Sequence, residues 1–434
     1  MSAIILMLLG LGGMALGFFV YSKFLALVVF KLSDKFRTPA HEFEDGVDFV
    51  PTNKFVLWGH HFTSVAGAAP IVGPAIAVIW GWLPAFLWVT LGTIFFAGIH
   101  DAGAIWASVR NKAKSIGTLT GEVVGNRARA IFSIVIFLVL LMVNAVFGVV
   151  IAKLLINNPG AVVPVWGAIA VALVIGQAIY RAKMSLPLVS LIGVVALYAL
   201  IYVGPSVPVE LPETVAGLSP SAAWIIILFV YAAIASLLPV WVLLQPRDYI
   251  NGLQLFVGLA ALYGAVLIAN PTVVAPMINV DVPAGTPSMI PLLFVTIACG
   301  AISGFHGLVS SGTTSKQLDK ETDARFVGYF GATGEGALAL AAIIAATAGF
   351  ASLADWQAMY HSFGQGGVLA FVEGGATILS AGTGLDMAIA ATMLTVMAAL
   401  FAGTTMDTGL RLQRYIFQEW GEIYNIKWMA KPVP

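Results

Sequence analysis

Gly59-His60-His61-Phe62-Thr63-Ser64-Val65-Ala66-Gly67-Ala68-Ala69-Pro70-Ile71-Val72-Gly73-Pro74 lies at the start of a span long and apolar enough to cross a bilayer. A plain membrane helix would not crowd two histidines, a Thr-Ser pair, three glycines and two prolines into sixteen residues. Pro70 has no N–H for the carbonyl of Ala66, and Pro74 has none for that of Pro70. Backbone freed at membrane depth survives only when buried in protein or lining a polar cavity. The stretch therefore reads as a broken helix that binds something. A half-helix starting after the break points its N-terminus at the midplane, where free amides and the dipole favour an anion such as a carboxylate. Ala69, Pro70 and Gly73 are the expected contact positions. Thr63 and Ser64 either line the site or bond back to their own helix.

Composition agrees with a membrane setting. The chain has 434 residues, 59% hydrophobic and only 10% charged, with mean hydropathy +0.95. Soluble domains carry about 25% charged residues. Zero net charge argues against nucleic acid as a partner. The single cysteine, Cys299, sits in an apolar span and reads as a small core residue. No basic residue precedes the first apolar run, so that run is expected to be a retained span rather than a cleaved signal peptide.

Apolar spans are expected at about 4–30, 55–80, 82–108, 130–152, 162–180, 185–203, 222–246, 253–275, 288–313, 327–348 and 385–408. Residues 368–379 are apolar but too short to cross, so a re-entrant or interfacial piece is expected there. This eleven-span map puts every Lys and Arg except Lys23 and Lys153 on one side. Loops 204–221, 276–287 and 349–367 hold no Lys or Arg. By the positive-inside rule the N-terminus is outside and the C-terminus cytoplasmic.

Eleven divides as one plus ten. Residues 1–54 form an extra helix and a cytoplasmic loop, 55–203 a first five-helix repeat, 222–410 a second of opposite orientation, and 411–434 a cytoplasmic tail. The first repeat opens on the stretch quoted above. The second opens on Ala235-Ser236-Leu237-Leu238-Pro239, where Pro239 frees the carbonyl of Ala235. Interrupted helices at matching positions of inverted halves point to a transporter binding site, here with Ser236 and Pro239 facing the first break. A simple kink at Pro239 is the competing reading.

Polar residues inside apolar spans are functional candidates by default, set against structural hydrogen bonding. His60 and His61 point about 100° apart, so one of them is expected to face the cavity. His100-Asp101 needs a partner, by adjacent pairing or from arginines such as Arg110. Ser303, His306, Ser310 and Thr313 share one helix face. His306 is the leading proton carrier, against a role as interhelical hydrogen-bond glue, and Glu335 is the deepest carboxylate of the second half. Asn144 and Gln245 are weaker candidates, with Asn144 placed at the substrate. Asp407 and Arg411, four apart, are expected to pair locally. No phosphate-binding loop, metalloprotease or hydrolase motif stands in the chain, and no cofactor or metal is expected. Energy drawn from an ion gradient is favoured, with H⁺ first and Na⁺ open.

Several stretches resemble the carbon starvation protein A (CstA) family. They are His61-Phe62-Thr63-Ser64-Val65-Ala66-Gly67-Ala68-Ala69-Pro70-Ile71-Val72-Gly73-Pro74, Gly98-Ile99-His100-Asp101, Ser115-Ile116-Gly117 and Leu244-Gln245-Pro246-Arg247-Asp248-Tyr249. Further along come Ser311-Gly312-Thr313-Thr314-Ser315-Lys316, Asp323-Ala324-Arg325-Phe326-Val327-Gly328-Tyr329 and Thr404-Thr405-Met406-Asp407-Thr408-Gly409. They run in order over about 55–415. The resemblance implies uptake of small peptides, or of pyruvate, across the bacterial inner membrane under nutrient limitation. It also implies an all-α fold of the amino acid–polyamine–organocation type, with a LeuT-like five-plus-five inverted repeat. Many members of that family continue with more hydrophobic segments beyond the equivalent of Pro434. The expected protein is thus a secondary active transporter, not an enzyme. Its partners are a small-molecule substrate and the lipid bilayer, with self-association open. A channel and a membrane nutrient sensor are the alternatives from other classes.

Overall fold

A computed structural model describes all residues except 303, 424, 430 and 432–434. Its regular structure is helical, with only isolated β-bridges among the described residues. The helices used below are α1 (Ala3–Val29), α2 (Lys54–Ala66), α3 (Ala69–Trp80), α4 (Trp82–Arg110), α5 (Ile116–Val123) and α6 (Asn126–Asn157). Then follow α7 (Pro159–Tyr180), α8 (Leu186–Ser206), α9 (Pro220–Leu237) and α10 (Leu244–Ala269). The chain ends with α11 (Met289–Thr296), α12 (Gly304–Gly312), α13 (Arg325–Ala348), α14 (Leu353–Met359), α15 (Gly367–Thr383) and α16 (Met387–Ile423).

Among the described residues, nine single helices are long and apolar enough to cross a membrane, and the bent pair α2–α3 makes ten. They match ten of the eleven expected spans. The exception is 288–313, which is two short helices, α11 and α12, separated by a non-helical turn. The piece expected near 368–379 is the 17-residue helix α15, buried along Ala370, Phe371, Gly374 and Leu379.

The core is built on α13. Its Gly- and Ala-rich run Gly331–Ala348 is buried almost throughout and packs on α1, α3, α4 and α15. Small side chains permit that closeness, since a Cβ on Gly374 would lie 2.1 Å from the Ala345 carbonyl oxygen. The peripheral helices α6 to α9 leave Leu138, Met142, Val174, Leu191, Val195 and Ile234 exposed. Apolar surface on this scale is covered by lipid.

The connections sort onto two faces. On one, Asp48 meets Arg411, Glu321 meets Arg110, and Ser115 Oγ donates to Glu419 at 2.6 Å. On the other, the Ala3 amide donates to the Pro271 carbonyl at 3.0 Å and the Trp82 amide to that of Pro276 at 3.1 Å. The first face is the basic one of the sequence map. Arg247, counted there as a loop cation, is instead buried in the first turn of α10.

Candidate functional site

The first break falls at Gly67–Ala68, two residues before the expected Ala69–Gly73, with a 43° bend between α2 and α3. Gly67 adopts φ +56°, a conformation a Cβ disfavours. Pro70 sits in the first turn of α3, where its missing N–H costs nothing. The ending of α2 orphans its last carbonyls. Two of them find hydroxyls on α16: Thr404 Oγ1 donates to the Thr63 carbonyl at 2.9 Å, and Thr405 Oγ1 to that of Ser64 at 3.0 Å.

The second break is not where the sequence placed it. Ser236 and Pro239 lie at the end of α9 and in the link to α10, which are separate full-length helices. Leu238 takes the extended conformation that a following proline imposes, and Arg411 satisfies the Ala235 and Leu238 carbonyls. Ser236 Oγ bonds back to the Ala233 carbonyl at 2.8 Å. The unwound partner of the first break is the turn between α11 and α12, where Gly300 has φ +97°. The two breaks touch. A Cβ on Gly73 would lie 2.2 Å from the Thr296 carbonyl oxygen, and one on Gly300 would lie 3.5 Å from Pro70 Cβ. Cys299 Sγ lies 3.8 Å from the Val65 oxygen and 3.7 Å from that of Ala66.

Two buried charge clusters lie beside this crossing. In the first, Asp248 accepts from Arg247 Nη2 at 2.7 Å and sits 2.7 Å from His60 Nδ1. Arg247 also pairs with Asp407, which accepts from Tyr231 Oη at 3.0 Å. Ser64 Oγ joins by donating to Asp248 Oδ2 at 3.4 Å and also meets Thr408 Oγ1 at 3.0 Å. Arginine stays charged in proteins, so this cluster carries a fixed cation between two carboxylates. The expected Asp407–Arg411 pair is absent; Arg411 reaches Asp48 at 2.9 Å instead. Asp407 is buried, and among described residues the guanidinium that meets it is on α10 rather than one turn along its own helix.

The second cluster has no fixed cation. His306 Nδ1 lies 2.8 Å from Asp101 Oδ2, and His306 Nε2 lies 2.8 Å from Glu335 Oε2. His61 Nε2 approaches Asp101 at 3.4 Å, with its Nδ1 2.9 Å from Thr314 Oγ1. His100 Nδ1 is 3.4 Å from Asp101 Oδ1, and the Cys299 thiol donates to Glu335 Oε1 at 3.1 Å. Every ion pair described for Asp101 and Glu335 is with a histidine. Arg110, a candidate partner for Asp101, is paired with Glu321. Ionised carboxylates only accept hydrogen bonds, so an imidazole between two of them is best satisfied as imidazolium, or by a proton on one acid. The charge of this cluster is therefore set by protons.

The structure gathers His61, His100, Asp101, His306 and Glu335 into one cluster and sends His60 to the other. Thr63 Oγ1 bonds back to the Gly59 carbonyl at 2.8 Å. Asn144 donates to Gln413 Oε1 at 3.1 Å, and Gln245 holds Thr52 and Gln317 at 2.8 and 2.7 Å. Ser310 is fully buried with its Oγ unpartnered among the described residues. Ser303 lies outside the described residues. Sequence reasoning missed the polar stripe Arg247, Asp248, Asn251 and Gln254 along α10, all buried. Adjacent opposite charges at the head of an apolar run were the available signal.

A broken helix, a second unwound segment against it, and a buried cluster of histidines and carboxylates thus lie at the core of a multi-pass membrane protein. Residues 2–359 match the family described as Carbon starvation protein CstA, and the chain belongs to that family. It is 32% identical to the peptide transporter CstA of Bacillus subtilis over 461 residues, covering 98% of this chain and 76% of that one. It is 38% identical to the peptide transporter CstA of Helicobacter pylori over 346 residues, covering 76% of this chain and 49% of the relative. Against the pyruvate/proton symporter BtsT of Escherichia coli it is 36% identical over 337 residues, covering 75% and 46%. The chain thus spans about half the length of the latter two. No solved structure matches.

Proposed function

We propose that the chain is a proton-coupled secondary transporter that imports small peptides across the bacterial inner membrane, with its basic face in the cytoplasm. One observation carries the reading: His306 stands 2.8 Å from each of two fully buried carboxylates, Asp101 and Glu335. A cluster whose charge is set by the protons it holds, set against two touching helix breaks, ties protonation to the packing of those breaks. The substrate carboxylate sits at the N-terminus of α3, at Ala69 to Gly73, when the breaks part. His61 and His306 carry the coupling proton. The two segments are closed on each other here, as an alternating-access cycle requires of one of its states. A five-plus-five inverted repeat is the architecture that would move them.

Pyruvate is the second reading, supported by the relative named a pyruvate/proton symporter. Proteoliposomes test both. Dipeptide accumulation that follows an imposed proton gradient, and not a sodium gradient, is the expected result. Accumulation indifferent to the proton gradient ends the coupling claim. Downhill flux without accumulation would mean a channel, and binding without flux a sensor.

A further inference from the structure

A cavity of about 300 Å³ opens on the basic face between α5, α6, α12 and α16. Ligand pockets for small molecules begin at about this size. Four cations line it, Lys112, Lys114, Arg129 and Lys316, and Lys114 is already paired with Glu122. Arg129 Nε is buried with no hydrogen-bond partner among the described residues, and its Nη2 makes only a 3.4 Å contact to Thr118 Oγ1. Lys316 Nζ stands 3.8 Å from the centre of the Tyr415 ring. Burial pushes the Lys316 ammonium below the ordinary lysine range despite Asp48 and Glu419 nearby. Asp48 is already engaged by Arg411 and Arg414.

The N-terminal turn of α5 forms another part of the wall. Gly117 keeps that turn open, since a Cβ there would stand 3.2 Å from Ser133 Oγ. The inner wall is aliphatic. Leu140 and Leu412 line the cavity, and Val65 and Val309 pack behind them in the same cluster. Val65 is two residues from the break at Gly67. The apolar cluster behind the cavity thus reaches the first break through Val65. Glu419 completes the rim, where it already accepts from Ser115 Oγ at 2.6 Å.

We infer that this cavity is the cytoplasmic release site for a short zwitterionic peptide. Its C-terminal carboxylate is held by Arg129 and Lys316, its side chains lie on Leu140 and Leu412, and its ammonium faces Glu419. The inference rests on the transporter reading and chooses peptide over pyruvate, because a three-carbon acid would leave the aliphatic wall and Glu419 unused.

Alkylation of a thiol placed in the wall by Thr118→Cys reads this site alone, with modification located by mass spectrometry on the purified full chain. N-ethylmaleimide is expected to label it. The dipeptide alanyl-leucine should slow labelling at least fivefold, and neither its C-terminal amide nor pyruvate should do so. Arg129→Gln, checked for folding by its melting temperature, should abolish the protection, and Arg129→Lys should restore part of it. Equal protection by the amide, protection by pyruvate alone, or protection that survives both Arg129→Gln and Lys316→Gln overturns the inference. Those outcomes leave gradient-driven uptake by wild-type proteoliposomes untouched. Loss of wild-type uptake instead counts against the transporter reading, whatever the labelling shows.

Discussion

His60 and His61 are neighbours in the chain and belong to different charge clusters. His60 Nδ1 lies 2.7 Å from Asp248, whose second oxygen is held by Arg247, while His61 Nε2 lies 3.4 Å from Asp101 in the cluster of His306 and Glu335. The 100° turn between adjacent helical residues separates a fixed-charge environment from a proton-set one. His61→Gln should therefore lower gradient-driven uptake at least tenfold while sparing substrate exchange at equal pH. His60→Gln should leave the pH profile of uptake in place and lower stability by about 1–3 kcal/mol, because a buried acceptor loses its donor. Uptake against imposed pH gradients, with melting curves beside it, checks the pair. Identical pH profiles in the two variants would refute the division.

Arg247 joins Asp248 on its own helix to Asp407 on α16. Removing the cation strands two buried carboxylates, and breaking a buried pair in this way costs about 3–5 kcal/mol. Arg247→Gln should denature well below wild type, and adding Asp407→Asn should recover part of the loss. A double variant no more stable than the single would show that the pair is not coupled.

Gly73 is the contact through which the two breaks meet. A methyl there would press on the Thr296 carbonyl, 2.2 Å away, and overpacking of this kind costs about 1–3 kcal/mol. Gly73→Ala is expected to hold the breaks apart and reduce transport more than it reduces the yield of folded protein. Wild-type uptake rates in that variant would mean that the crossing does not move.

Asp48 links the loop before α2 to α16. Burial alone would raise its pKa, but Lys316, Arg411, Tyr415 and Arg414 hold it below the usual aspartate value of 3.8. A lowered carboxylate contributes stability above its unfolded pKa and loses it as pH falls through the folded one. The gap in melting temperature between wild type and Asp48→Asn should stay constant from pH 7 to about 4 and close below that. A gap that closed between pH 7 and 5 would contradict the sign.

Much of this was legible in the chain. Pro70 and Pro74 announced the first break, two residues late, because proline acts locally, while Gly67, whose positive φ makes it, was read only as one of three glycines; lysine and arginine positions sorted the loops without any tertiary knowledge. The second break was misplaced for a related reason. Pro239 is a strong local signal, yet it serves an ordinary helix end. The turn around Gly300 carries no proline, and its helices are short enough to read as one continuous run. Long-range pairing was out of reach. Asp407 has Arg411 one turn away but binds Arg247, 160 positions earlier, because only packing brings α10 against α16. The histidines were singled out as polar residues inside apolar spans, and the structure buries His60, His61 and His306. Which acid each would meet depended on the same packing.

The aliphatic layer of Val65, Leu140, Val309 and Leu412 also acts as insulation. A proton travels through protein along unbroken chains of hydrogen bonds, and four hydrocarbon side chains offer neither donor nor acceptor. Leu140 and Leu412 line the outer cavity, and Val65 and Val309 belong to the same apolar cluster. On the proposed coupling, an idle copy would leak no protons through this wall, so a cell could hold many copies in reserve without discharging its gradient there.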